Sequence, residues 1–101
     1  METKAYRKGD ALVVGIKGEI DAEGAPEFKN KMKVALQKAG KRFILDIEKV
    51  EFVDSAGLGT LLSLSRQCAE HNVAFTIVHP QPQIRKLFEI TRLYKAIDIQ
   101  D

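Results

Sequence analysis

Residues 52–62 read Phe-Val-Asp-Ser-Ala-Gly-Leu-Gly-Thr-Leu-Leu, FVDSAGLGTLL. A short apolar run stops at Asp54-Ser55, two glycines flank Leu58, and a leucine-rich segment follows. Aspartate or serine just before a helical pattern is a good N-cap, because its side-chain oxygen accepts a first-turn N–H that has no partner inside the helix. The stretch therefore reads as a strand-to-helix junction opening a helix over residues 55–70, with Leu58, Leu61, Leu62 and Cys68 as its apolar stripe. Ser55 is expected both to take part in the cap and to be presented to solvent. Two glycines in a first turn cost about 1 kcal/mol each relative to alanine, and capping does not require them. Gly57 and Gly59 could allow a neighbouring strand or loop to approach closely, and their cost suggests that the turn is kept bare so that something else can approach its backbone.

Upstream, Tyr6 ends a short opening segment, and Arg7-Lys8-Gly9-Asp10 has the composition of a hairpin turn. From Ala11 to Ile20 the chain alternates, with Leu12, Val14, Ile16 and Ile20 on one face and Lys17 and Glu19 on the other, as in a half-buried strand. Pro26 then suits a first helical turn, with Glu23 and Glu27 near the positive end of the helix dipole. Phe28, Met32, Ala35, Leu36 and Ala39 share one helical face, and Gly40 closes the element. Phe43–Ile47 reads as the next strand.

Downstream of the opening stretch, Val73–Val78 is a further strand, punctuated by Pro80 and Pro82. Ile84, Leu87 and Phe88 recur at helical spacing, and Ala96–Ile99 is a weak terminal strand. Strands alternating with helices imply parallel neighbours joined by crossover helices, whereas the first, tightly turned pair must be antiparallel. The expected fold class is α/β: a mixed sheet with helices packed against it, in a single domain spanning residues 1–101. Functional loops in such sheets lie at the carboxyl ends of parallel strands, which is where Asp54-Ser55 falls.

The bulk properties narrow the function. The chain has 101 residues, 45% of them hydrophobic and 30% charged, within the ordinary globular range. Sixteen basic against 14 acidic residues leave a net charge of +2, which does not call for nucleic acid. The lysines of the first helix lack interleaved aromatics and read as a solvated face. One cysteine, Cys68, rules out an internal disulfide and suits a reducing compartment. No apolar stretch approaches the ~20 residues of a membrane span. A cytoplasmic protein with no direct nucleic-acid or membrane partner is expected.

Specific chemistries at the junction also fall away. Gly57-Leu58-Gly59 lacks the third glycine of a dinucleotide fingerprint, and no Walker-type Gly-Lys-Ser/Thr occurs. A nucleophile elbow would need glycine at position 53, which is Val53. His71 lies at the far end of a 16-residue helix, about 24 Å from Ser55. Two histidines and one cysteine at these spacings form no recognisable metal motif, and no cofactor is implied.

Three motifs in order, Gly18-Glu19-Ile20-Asp21, Phe52-Val53-Asp54-Ser55-Ala56-Gly57-Leu58-Gly59 and Arg85-Lys86-Leu87-Phe88-Glu89-Ile90-Thr91-Arg92-Leu93, resemble the STAS domains of bacterial anti-sigma factor antagonists. The resemblance runs from about Ala5 to Ile99. It implies the STAS-type mixed sheet and a binding protein with no catalytic residues of its own. Ser55 falls at the family's phosphorylation site, and Asp21 at its acidic loop residue. The implied partner surface comprises Asp21, Asp54, Gly57, Leu58 and Gly59. The implied partners are an anti-sigma factor with serine kinase activity, bound when Ser55 is unmodified so that a sigma factor is freed, and a PP2C-type phosphatase that resets the switch. Ala56 stands where many relatives carry a second hydroxyl. Several relatives also continue into a final helix beyond the position of Asp101, so partner binding is expected to differ in detail. Two other roles fit the same residues: a scaffold or accessory subunit of a transport or signalling complex, with Ser55 unmodified, or a small-anion or nucleotide sensor at the Ser55–Gly59 turn.

Overall fold

A computed structural model describes residues 1–101. The elements are β1 (Glu2–Lys8), β2 (Ala11–Ile20), α1 (Ala25–Gln37), β3 (Arg42–Val53), α2 (Ser55–Glu70), β4 (Ala74–Val78), α3 (Pro82–Ile90), a 3₁₀ turn (Leu93–Lys95) and β5 (Asp98–Gln100). They form one five-stranded sheet in the order β1-β2-β3-β4-β5, antiparallel between β1 and β2 and parallel thereafter. Gly9, at φ +62°, takes the left-handed turn between β1 and β2 at no Cβ cost.

Crossovers between parallel neighbours are right-handed in nearly all proteins. The sheet advances in one direction from β2 to β5, so α1, α2 and α3 all fall on the same face. Their buried residues, among them Phe28, Met32, Leu61, Leu64, Ile84 and Phe88, join the inward residues of β2, β3 and β4 in one core cluster of 23 residues. Within it the rings of Phe43 and Phe75 meet edge to face at 5.7 Å and 79°. Such a pair adds about 1 kcal/mol to the area it buries.

The long strand β3 departs from expectation. Its apolar alternation was expected to end at Ile47, yet the strand continues to Val53. Buried positions run Phe43, Leu45, Ile47, then Val50 and Val53. The spacing opens from two to three where the register against β2 shifts, between Gly15 and Lys17 and again between Gly18 and Glu19. Each shift places an extra β3 residue opposite β2, a β-bulge that turns the next apolar side chain back to the core. The bulges carry Val53 inward and into register with Ile20.

The buried face of α2 is also rotated from the expected stripe. Gly57, Thr60, Leu61, Leu64 and Cys68 are buried, while Leu58 and Leu62 lie at its border. The hydroxyl of Thr60 is satisfied internally, donating to the Gly57 carbonyl at 2.7 Å. At the chain ends β1 runs to Lys8 and not Tyr6, and β5 is Asp98–Gln100, two residues later than its apolar content suggested at the start.

Candidate functional site

The pairing of Ile20 with Val53 brings two loops together at the carboxyl end of β2 and β3. Asp21 begins one and Asp54 the other. Asp54 has extended backbone, φ −104° and ψ −175°, and caps α2: its Oδ1 accepts the Gly57 N–H at 2.8 Å. Its Oδ2 accepts the Ala22 N–H from the neighbouring loop at 3.1 Å. The Asp54 N–H in turn donates to the Ile20 carbonyl at 3.3 Å. One residue therefore clasps the start of α2 to the end of β2. The donated N–H groups, Gly57 first and then Ala22, hold the Asp54 carboxyl below the usual carboxylate range.

This arrangement corrects the expectation for Ser55. Asp54 alone caps the helix, and Ser55, the first helical residue, is exposed with its hydroxyl in no hydrogen bond within the chain. Ser55 and Ala56 also sit where backbone N–H groups have no partner inside the helix.

The two glycines differ from each other. Gly57 is buried, and a Cβ built on it would overlap the carbonyl oxygen of Ile20, stand 2.8 Å from the carbonyl carbon and 3.1 Å from Cγ1 of Val53. Its missing side chain makes room for β2, so of the two expectations for Gly57 the close approach of a neighbouring strand holds, and its place on a partner surface gives way to a packing role. Gly59 is exposed, with nothing within 4 Å of a built Cβ. Leu58 is half-buried against the core margin.

Asp21 folds back on its own loop, its Oδ1 accepting the Gly24 N–H at 2.7 Å. Beside it, Glu19 is pushed above the usual carboxylate range, first by a hydrogen bond with Asp21 and by its charge, with Glu23 and Glu51 adding repulsion. Glu19, Asp21, Glu23, Glu51 and Asp54 thus form an acidic rim, and none of them is in an ion pair with a lysine or arginine. Phe52, 49% exposed, stands at the same edge. The rim and Phe52 escaped the sequence reading, because only the β2–β3 register brings residues 19–23 to residues 51–55. The one signal available was the alternation of acids through Glu19, Asp21 and Glu23.

His71 forms the C-cap of α2, at the opposite end of the helix from Ser55. His79 follows β4 and its ring contacts Asp46, so neither histidine is hydrogen-bonded to the Ser55 hydroxyl. The STAS domain model matches residues 2–101, and the chain belongs to that family. It is 30% identical over 95 residues to the anti-sigma-B factor antagonist of Listeria monocytogenes, covering 94% of this chain and 83% of that protein. It is likewise 30% identical over 88 residues to the anti-sigma-B factor antagonist of Bacillus subtilis, covering 87% and 80%. Among solved structures, an anti-sigma factor antagonist from Mycobacterium paratuberculosis superposes with a TM-score of 0.86 at 24% identity, over 98% of this chain and 84% of that one. SpoIIAA in its unphosphorylated form gives 0.71 at 22% identity, over 99% and 88%. These likenesses establish the STAS-type fold. No helix is long and apolar enough to cross a membrane.

Proposed function

We propose that this chain is an anti-sigma factor antagonist whose binding is switched by phosphorylation of Ser55. The observation that carries the proposal is the division of labour at the junction: Asp54 performs the capping, and the adjacent serine is left exposed and unbonded. Unmodified, the face around Ser55, Leu58 and Gly59 binds an anti-sigma factor that is also a serine kinase, and a sigma factor is released. The kinase transfers phosphate to the Ser55 hydroxyl, and a PP2C-type phosphatase removes it. Relatives named anti-sigma factor antagonists support the binding role, and SpoIIAA, a fold relative, exists in a phosphorylated form.

The physics of the switch is local. A phosphate at a helix N-terminus meets free N–H groups and the positive end of the dipole. The surrounding rim of Glu19, Asp21, Glu23, Glu51 and Asp54 is acidic, so a phosphate of charge about −1.5 to −2 adds to a negative surface. A partner covering that surface must desolvate the charge. A penalty of about 3 kcal/mol weakens binding more than 100-fold.

The test is calorimetric binding of the anti-sigma factor kinase to Ser55→Ala and Ser55→Asp, with intact-mass analysis after incubation with the kinase and ATP. Wild type is expected to gain one phosphate on the peptide containing Ser55. Ser55→Ala should bind and gain none, and Ser55→Asp should bind weakly. Equal affinity of the two variants would overturn the switch.

A further inference from the structure

We infer that Asp46, Glu48 and His79 form a binding site for a divalent cation of the zinc class, on the sheet face opposite the helices. Asp46 and Glu48 are two apart on β3 and so point to the same side. They lie out of phase with the core residues Leu45 and Ile47. The β3–β4 ladder ends at the pairing of Asp46 with Val78, which delivers His79 to the same spot. One ligand atom from each of the three residues lies within 4.8 Å of the other two.

The geometry and the donor chemistry agree. Two ligand atoms each about 2.05 Å from a tetrahedral ion stand about 3.3 Å apart, and Nδ1 of His79 lies 3.3 Å from Oδ1 of Asp46. That oxygen also accepts the Glu48 N–H at 3.0 Å, which fixes the Asp46 rotamer and leaves Oδ2 free. The histidine backbone is held by its N–H donating to the Gln100 carbonyl at 3.0 Å. Gln81 donates to the Glu48 carbonyl at 2.8 Å and pins the following loop to β3. Lys4, Lys17 and Lys49 line the shallow cleft beside Asp46 and Glu48, yet neither carboxylate is in an ion pair with a lysine or arginine. Two carboxylates with an imidazole favour zinc and its transition-metal neighbours over calcium or magnesium, which take oxygen ligands. The side chains are half-buried to exposed, so water can complete the coordination shell.

The site is independent of the phosphorylation switch. Asp46 lies seven residues before Val53 along β3, roughly 20 Å from the junction at strand rise. Zinc titration of the untagged chain by calorimetry, repeated with cobalt and followed by its visible absorption, tests it. One equivalent is expected per chain. His79→Asn, which tolerates the left-handed φ of +60° at that position, should weaken binding at least the ~10-fold that loss of even an outer-shell partner costs. Asp46→Asn should do the same, and Glu48→Gln should also weaken binding, while His71→Asn and Ser55→Ala should bind as wild type. The imidazole nitrogen resonances of His79, and not of His71, should move. Absence of zinc uptake, or wild-type affinity in His79→Asn, would leave only a histidine–carboxylate contact beside a second carboxylate and overturn the inference.

Discussion

Two loops at the carboxyl end of the sheet follow the same local rule and end with different duties. Asp21-Ala22-Glu23-Gly24 precedes α1, and Asp54-Ser55-Ala56-Gly57 is the N-cap and first turn of α2. In each, the aspartate Oδ1 accepts the N–H of the glycine three residues on, at 2.7 and 2.8 Å. In the first loop that bond closes a turn before the helix, and a Cβ on Gly24 would meet nothing nearer than the Asp21 side chain at 3.2 Å. In the second it caps the helix, while the other oxygen of Asp54 reaches across to Ala22 and Gly57 is wedged against the Ile20 backbone. A shared i to i+3 bond sets the turn. What surrounds it decides whether the turn is a loop detail or the clasp between two elements.

The contrast can be broken most severely at Gly57. Gly57→Ala should cost on the order of 3 kcal/mol, because its Cβ meets backbone and not a movable side chain. At this chain length that lowers Tm by roughly 10 °C or more in a thermal melt. Gly24→Ala, measured alongside, should cost much less, and equal losses would mean that the two loops are under the same constraint.

Asp54→Ala should be next, removing both the cap and the tether to Ala22, with Tm falling by several degrees. The sign of its pH dependence follows from its lowered pKa. The stability that Asp54 contributes is fully present above the ordinary aspartate range and is lost as pH falls through its depressed folded value. The Tm gap between wild type and Asp54→Ala should therefore close on acidification. A constant gap down to strongly acid pH would show that the charge is irrelevant to the clasp.

Asp21→Ala should matter less for stability. It loses the Gly24 bond but relieves the strain on Glu19, whose carboxyl is pushed up first by Asp21. Its expected phenotype is weaker docking to the proposed kinase partner, or slower phosphorylation by it, with a near-normal melt. Collapse of the fold would make Asp21 structural.

Gly59→Ala carries the smallest and opposite effect. With open space around its Cβ, alanine should stabilise α2 by about 1 kcal/mol. If Gly59 keeps the turn open for a partner, the same variant should bind the kinase less well. Greater stability with unchanged affinity would remove Gly59 from the interface.

Much of this was legible along the chain. The boundaries of α2, the cap at Asp54 or Ser55, the alternation of β2 and the mixed order of the sheet all rest on local signals: a capping oxygen, a period of 3.6 and a period of 2. β3 past Ile47 was not, because its inward positions jump by three at each bulge and mimic neither period. The separate fates of Gly57 and Gly59 were equally hidden. Helix propensity treats the two alike, and only the nearness of the Ile20 carbonyl distinguishes them.

The same division runs through the function. By itself the sequence determined the elements, the strand–helix junction and the family motifs that single out Ser55, since these depend on residues close in the chain and on their order. The tertiary structure alone decided that Asp54 also reaches across to Ala22, that the acidic rim assembles from two loops, and that His79 comes to Asp46 and Glu48. Each depends on register between strands far apart in sequence, where a shift of one residue reverses which face a side chain occupies.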